Sequence, residues 1–399
     1  MASPAVMPIL VLLAVAMVVA IIARRLKLPY TVGLVLVGVA IALARIETGA
    51  ALTHDFIYYV ILPPLLFEAA LALQWRDLRD DAVVLLTLAT LGTLIAAIVV
   101  AFGAAFIMHW PLQIAFVFGA LIAATDPVAV IALFKDNGVK GRLRTLLEAE
   151  SLFNDAAAAV LFSVAVSLAM QSTALDAASI SAGLLWSIGG GVLIGAGIGG
   201  GALIFASRSS EHLVEVALTV LAAYGAFLAA EQTHASGILA TVVAGLMVGN
   251  LGVLSQRSEI SVKAKAFAIE FWEFAAFLAN SAVFPLMGLA IGATAFAPSI
   301  ALALMAIIVL VLAARALTVY PLSLLFARTR QAVSLKFQHI LWWGGLRGAL
   351  ASALALSLPE TLLHRDEIIQ TTFAVVAFSI IVQGLTMPLL MGKQGLTAR

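Results

Sequence analysis

The sequence predicts an all-α protein that crosses a membrane about thirteen times, on three observations. Only 11% of the 399 residues are charged and 63% are hydrophobic, whereas a soluble domain is about a quarter charged and half apolar. The apolar residues form blocks long enough to cross about 30 Å of hydrocarbon as helices. The Lys and Arg residues fall mainly in alternate gaps between these blocks. A water-soluble globule is therefore excluded.

The apolar blocks can be bounded to within a few residues from the printed sequence. They lie at about 5–23, 30–45, 55–73, 82–108, 112–134, 148–170, 179–206, 212–232, 236–252, 264–293, 297–327, 337–358 and 368–391. No basic residue precedes the first block, and Arg24, Arg25 and Lys27 follow it. We therefore expect it to be a retained span and not a signal peptide. The whole chain, 1–399, is predicted to be one transmembrane domain without a soluble domain.

The positive residues predict the orientation. Eighteen of the 22 Lys and Arg residues lie in one set of alternate gaps, and only Arg45 and Arg365 lie in the other set. Because cytoplasmic loops carry the excess of positive charge, the N-terminus is expected outside and the C-terminus in the cytoplasm of a multi-pass plasma-membrane protein. A net charge of +1 leaves no basic face for nucleic acid. The absence of cysteine excludes disulfides and thiolate metal sites.

Ionisable residues inside the blocks are the candidates for function, because charge at mid-membrane is costly. Those near block ends, expected to reach the interface, are Glu231, Glu270, Arg315 and His339. For Glu215 and Glu273, the sequence does not decide between a position near the interface and one inside the membrane. The central ones are Glu68, Asp126, Glu150, Asp155 and Arg347.

The fifth block is interrupted at 124–128 by Ala-Thr-Asp-Pro-Val. Asp126 before Pro127 is typical of a helix start, with the Asp side chain capping free N–H groups and Pro at the first helical position. We therefore expect a new half-helix to begin in mid-membrane, which leaves backbone carbonyls near Thr125 without partners. Transporters build ion sites from broken helices of this kind. Asp126 itself is a cap on one interpretation and a functional carboxylate on the other.

The sixth block begins with Glu-Ser-Leu-Phe-Asn-Asp at 150–155. Ser151 and Asp155 share one helix face, which offers a hydroxyl and a carboxylate, the oxygen ligands of a hard cation. Glu150 and Asn154 share a second face, where Glu150 needs a positive partner. Arg347, in WGGLRGA at 343–349, is expected to pair with Glu150 because pairing lowers the cost of burying both charges.

The two remaining signals concern helix packing and enzymatic motifs. The seventh block contains GAGIGG from Gly195, which fits a dinucleotide fingerprint, but no strand precedes it. Its GxxxG spacings, Gly191/Gly195 and Gly197/Gly201, indicate close helix packing. The chain has no Walker, HExxH or potassium-filter motif, so neither enzymatic activity nor a cofactor is expected.

Four segments in this order resemble a known family: LPPLLFEAAL at 62–71, ATDPVAV at 124–130, ESLFND at 150–155 and WGGLRGA at 343–349. The combination is similar to the monovalent cation:proton antiporters, in the electroneutral sodium/proton exchanger branch. The resemblance covers nearly the whole chain.

The resemblance implies two inverted repeats, about 5–170 and 212–391, joined by a linking helix at about 179–206. Broken fifth and twelfth helices would cross near 125–127 and 344–348. It also implies a homodimer, and movement of a core domain against a dimerisation domain. Many relatives have a cytoplasmic tail that this sequence lacks, so control by a tail is not expected.

The resemblance also implies a role for each motif residue. Asp155 becomes the cation- and proton-binding carboxylate, with Ser151, Glu68 and Thr125 as co-ligands of the transported Na+. The supporting residues are Asp126, Pro127, Asn154, Glu150 and Arg347, with Asn154 standing where the electrogenic branch has a second aspartate.

The expected function is secondary active antiport of Na+, or Li+, against H+ by alternating access. One carboxylate that crosses neutralised by either ion gives a 1:1 electroneutral exchange. A K+/H+ antiporter on the same scaffold and a passive cation channel remain as alternatives, because residue types alone do not fix cation selectivity.

Overall fold

The computed structural model describes most of the chain as helices that agree closely with the predicted blocks. The described residues are 6–26, 29–46, 52–170, 177–209, 211–256, 258, 260–294 and 298–396. We number the spanning segments as α1 (Val6–Leu26), α2 (Tyr30–Leu43), α3 (Phe56–Ala72), α4 (Ala82–Met108), α5a (Leu112–Ala123), α5b (Val128–Asp136), α6 (Arg142–Met170), α7 (Ala177–Ala206), α8 (His212–Gln232), α9 (Gly237–Val253), α10 (Val262–Ala293), α11 (Ala301–Leu325), α12a (Leu335–Gly344), α12b (Ala349–Leu356) and α13 (Arg365–Lys393).

The helical segments confirm the predicted fold class. Within the described ranges there is no strand, eight helices are long and apolar enough to span a membrane by length and composition, and four more are shorter apolar helices. The fifth and twelfth segments are each broken into two half-helices, as expected. Three positive residues used to predict the orientation, Lys27, Arg257 and Arg399, lie outside the described residues.

The largest boundary difference is at α6, which begins six residues before the predicted block. The extra residues carry charge, which an apolar-block criterion excludes. Arg144 and Glu148 form an i,i+4 ion pair at 2.7 Å, which stabilises a helix. Arg142 contacts both carboxylate oxygens of Asp81, at 2.7–3.1 Å. The first turns of α6 therefore combine charge pairs with buried leucines, Leu143, Leu146 and Leu147, that pack in the hydrophobic core.

The helices pack as two bundles. What we term the crossing bundle contains α4, α5, α6, α11, α12 and α13, and the scaffold bundle contains α1, α2, α3, α7, α8, α9 and α10. In the scaffold bundle α2 and α10 approach so closely that a Cβ on Gly38 would lie 2.9 Å from the Gly288 Cα. Small residues therefore allow backbone contact between these two helices.

The glycines of α7 only partly follow the packing prediction. A Cβ on Gly195 would lie 2.9 Å from the Ala240 Cα of α9, and one on Gly191 would lie 3.0 Å from the Ser236 carbonyl oxygen. This pair packs closely, as expected. The second pair does not, because a Cβ on Gly197 or Gly201 would meet open space. Within the described residues, the face of α7 that carries Gly191 and Gly195 packs against α9.

Candidate functional site

The breaks in α5 and α12 meet at Asp126. Its Oδ1 accepts a hydrogen bond from the Val128 N–H at 3.1 Å, and its Oδ2 accepts one from the Ala349 N–H at 3.3 Å. Its own N–H donates to the Leu346 carbonyl oxygen at 2.8 Å. Asp126 therefore accepts from the first residue of α5b and from the first residue of α12b, as expected of a capping side chain, although Pro127 is the N-cap of α5b and not its first helical residue. One carboxylate meets two helix N-termini, where negative charge is favoured.

Side chains of the following helix satisfy backbone groups at each break. In α6, the Ser151 hydroxyl donates to the Thr125 carbonyl oxygen and accepts from the Thr125 hydroxyl at 3.3 Å. In α13, the Ser379 hydroxyl accepts from the Arg347 N–H at 2.7 Å, and the Gln383 amide donates to the Trp343 carbonyl oxygen at 3.0 Å. These two α13 residues bound a π-helical turn, a feature frequent at functional sites.

A cavity of about 300 Å³ lies between the two bundles and contains the predicted ligands. Its lining includes Thr125, Ser151 and Asp155 from the crossing bundle and Glu68 from α3. Asp155 Oδ1 is buried, and no hydrogen-bond partner is found for it in the described part of the chain. The four residues predicted as ligands therefore line one cavity, while their binding of a cation remains a prediction.

The cavity opens at the end of the molecule where α5b ends and α6 begins. Lys135 of α5b and Glu273 of α10 form an ion pair at 3.2 Å in the cavity wall, with side chains 46% and 55% exposed. Arg144 and Glu148, in the first turns of α6, line the same part of the cavity. Glu273, which the sequence left ambiguous, is thus a residue of the cavity mouth.

The predicted pair between Glu150 and Arg347 is wrong. Glu150 instead forms a bidentate ion pair with Arg315 of α11, with N–O distances of 2.8 and 2.7 Å. Both side chains are buried, 1% and 6% exposed. Arg315 lies ten residues before the end of α11, about 15 Å along the helix, which is too far from the interface for the predicted end position. That distance is the sequence signal that pointed to burial.

Arg347 is buried at the α12 break without a carboxylate partner in the described residues. Its Nη1 lies 3.4 Å from the Gly345 carbonyl oxygen, and its Nε has no hydrogen-bond partner there. Asn154 is also buried, at 1% exposure, and is not part of the cavity wall. Neither residue lines the cavity, and their supporting roles remain predictions.

Sequence reasoning missed several polar residues of the cavity wall, among them Asn280 of α10 and Tyr30 of α2. The sequence criterion for a functional residue was a charged or imidazole side chain inside an apolar block, and an amide or a phenol does not meet it. Asn280 is an isolated amide in the apolar second half of α10. An isolated amide in an apolar span could have identified Asn280 as a candidate, because polar side chains in membrane spans mostly face the protein interior.

Comparisons with known proteins identify the family. The family model described as "Sodium/hydrogen exchanger, transmembrane" matches residues 11–393. The low-affinity Na+/H+ antiporter NhaS1 of Synechocystis is 39% identical over 94% of this chain and 72% of its own length. The Na+/H+ antiporter NhaH of Halobacillus dabanensis is 35% identical over 97% of each chain. The solved structure of the sodium proton antiporter MjNhaP1 of Methanocaldococcus jannaschii has a TM-score of 0.77 at 21% identity, covering 98% of this chain and 99% of its own. The chain therefore belongs to the transmembrane sodium/hydrogen exchanger family.

Proposed function

We propose that this protein exchanges Na+, or Li+, for H+ across the membrane by alternating access at Asp155. The observation that carries the proposal is the Asp155 carboxylate, which lies in the cavity with an unpartnered oxygen, beside the hydroxyl of Ser151 and the break at Thr125. Carboxylate, hydroxyl and carbonyl oxygens suit a hard cation. The relatives that are named Na+/H+ antiporters support Na+ as the substrate.

Glu68 completes the proposed ligand set from the scaffold side of the cavity. The Thr125 carbonyl oxygen and the Ser151 hydroxyl hydrogen-bond each other. We propose that a bound cation takes the place of this hydrogen bond, because both oxygens have lone pairs available for coordination. Asp126 also lines the cavity, and we propose it as a support and not as a ligand, since both of its oxygens accept backbone hydrogen bonds at the helix breaks.

The chemistry of one buried carboxylate explains why transport is an exchange. A bare carboxylate is costly to move through a low-dielectric barrier, and either a proton or a monovalent cation neutralises it. The two ions therefore compete for Asp155, and each transport step carries one of them. One cation moves one way and one proton moves the other, so no net charge crosses. Asn154 cannot add a second proton, because its amide does not titrate.

Orientation and assembly follow the same proposal. The cavity mouth carries Lys135 and Arg144, two of the positive residues that predict the cytoplasmic side, so the cavity is proposed to face the cytoplasm of a plasma-membrane protein.

The protein is proposed to act as a homodimer and to make or break no covalent bond. Light scattering of the detergent-solubilised protein at the mass of one protomer would reject the dimer.

Proton flux in proteoliposomes tests substrate and stoichiometry together. Purified protein is reconstituted with a pH-sensitive dye inside, and Na+, Li+ and K+ are added in turn, with and without an imposed membrane potential. We expect Na+ and Li+ to dissipate a pH gradient, K+ to have little effect, and the rate to be independent of the potential.

Each rival gives a different result in the same vesicles. A response to K+ in preference to Na+ would identify a K+/H+ antiporter. Cation flux that does not respond to a proton gradient would identify a channel. A rate that follows the imposed potential would reject the 1:1 stoichiometry. Protein-free vesicles provide the background rate for all three cations.

A further inference from the structure

The scaffold side of the cavity presents a polar side chain that the proposed ligand set does not include. Asn280 lies in the second half of α10, is 6% exposed and lines the cavity across from the crossing bundle. Its neighbour on the same helix, Ser281, is fully buried and does not line the cavity. Consecutive residues of α10 therefore differ in whether they face the cavity.

Two buried oxygens in the cavity wall lack hydrogen-bond partners in the part of the chain that the structure describes. They are Oδ1 of Asp155, from the crossing bundle, and Oδ1 of Asn280, from the scaffold bundle. Buried polar atoms nearly always have a partner, and a bound water or ion is one explanation of an unsatisfied atom that lies in a cavity wall. Both atoms are acceptors only, so they cannot satisfy each other. A cation, or a water molecule that hydrates it, satisfies both.

Tyr30 of α2 lines the same cavity as Asn280. The Asn280 amide lies within hydrogen-bonding reach of the Tyr30 hydroxyl, and Tyr30 is close enough to Asp126 and Glu68 to interact with their charges. The carbonyl oxygen of Asn280 has no hydrogen-bond partner among the described residues. The contact also locates Asn280 near the level of the helix crossing.

We propose that the Asn280 carbonyl oxygen contacts the transported cation from the scaffold bundle and sets the cation affinity of this state of the cavity. The proposal rests on the proposed Na+/H+ exchange. A carbonyl oxygen coordinates a hard cation but takes up no proton. Asn280 therefore changes the affinity of the site for the cation and leaves the affinity of Asp155 for a proton unchanged.

The test compares two variants of nearly equal shape. Asn280→Leu removes the oxygen, whereas Asn280→Asp keeps an oxygen at the same point. In the proteoliposome assay we expect Asn280→Leu to raise the Na+ concentration for half-maximal exchange about tenfold, the equivalent of losing about 1.4 kcal/mol of cation binding. The maximal rate and the proton dependence should stay within about twofold of the wild type. Asn280→Asp should have a half-saturating Na+ concentration at or below the wild-type value.

Ser281→Ala is the matched control, because it removes a buried unpartnered oxygen of the same helix outside the cavity. It should match the wild type in half-saturating Na+ concentration. If Asn280→Leu does not fold, as judged by gel filtration, Asn280→Ala replaces it in the same comparison. An unchanged half-saturating Na+ concentration, or an equal rise in Ser281→Ala, would overturn the inference while wild-type exchange continued. Absence of exchange in the wild type would instead overturn the proposed function.

Discussion

Glu150 of the crossing bundle pairs with Arg315 and not with Arg347. Glu150 and Arg315 form two hydrogen bonds, and the Arg315 Nη2 also donates to the Leu341 carbonyl oxygen at 3.2 Å. This pair links α6, α11 and α12a. A buried pair of this kind adds little net stability by itself, but removing one partner leaves a desolvated charge without compensation.

Stability measurements on three variants test which arginine is the partner of Glu150. Arg315→Met should destabilise the protein by about 3–5 kcal/mol, because an uncompensated carboxylate remains buried. Adding Glu150→Gln should recover part of that loss, since the second change removes the unpaired charge. The same Glu150→Gln change should not rescue Arg347→Met. Apparent melting temperatures in detergent provide the measurement, and rescue of Arg347→Met alone would show that the pairing described is incorrect.

The sequence predicted one member of the buried ion pair correctly and the other incorrectly. The sequence identified Glu150 as a buried carboxylate in need of a cation, which is correct. It chose Arg347 and placed Arg315 near the interface, which is wrong, because partner choice depends on how three helices pack. The same limit applies to Asn280, whose role depends on the cavity that α10 happens to face. Asp126 was predictable as a cap because capping depends on local sequence, here the adjacent Pro127.

At the scale of elements, the two broken helices are built by the same rule. In each case the next helix supplies a hydroxyl that satisfies a backbone group at the break, Ser151 for Thr125 and Ser379 for Arg347. Irregular backbone survives in a membrane only where protein or water satisfies it. The breaks also need space at the point of crossing. Gly348 provides it, because a Cβ there would overlap the Asp126 side chain.

Gly348→Ala tests the crossing directly. The added methyl group forces the α12 break away from Asp126, and overpacking of this kind costs about 1–3 kcal/mol. We expect a lower apparent melting temperature and a loss of exchange in proteoliposomes. Gly197→Ala is the control, because its Cβ would meet open space on α7. If both variants behave like the wild type, the close contact at the crossing does not matter for function.

The elements themselves were largely predictable. Apolar blocks gave all thirteen segments because a membrane span must be long and apolar, and the first break followed from Pro127. The second break contains glycines but no proline, and it was inferred from the family resemblance. The charged first turns of α6 were missed because a hydropathy criterion excludes charge. The π-helical turn at 379–383 was not predicted, since it depends on contacts with α12.

At the scale of the molecule, the cavity lies between two bundles, and this arrangement suits alternating access. The proposed ion ligands Thr125, Ser151 and Asp155 belong to the crossing bundle, whereas Glu68 and Asn280 belong to the scaffold bundle. Relative movement of the bundles would therefore change the ligand set as well as the side to which the cavity opens. The Lys135–Glu273 ion pair joins the two bundles at the mouth and would have to break in such a movement.

The central claim is that Asp155 is the carboxylate that carries both ions. Asp155→Asn has nearly the same shape but neither titrates nor carries charge. The proton flux of Asp155→Asn in proteoliposomes under a Na+ gradient tests this claim most directly. Glu273→Gln is the control, because it removes a carboxylate from the mouth of the same cavity and should still exchange. We expect the Asp155→Asn rate to equal that of protein-free vesicles although the protein elutes as a folded species. Na+-dependent proton flux by Asp155→Asn at a rate comparable to the wild type would contradict the account.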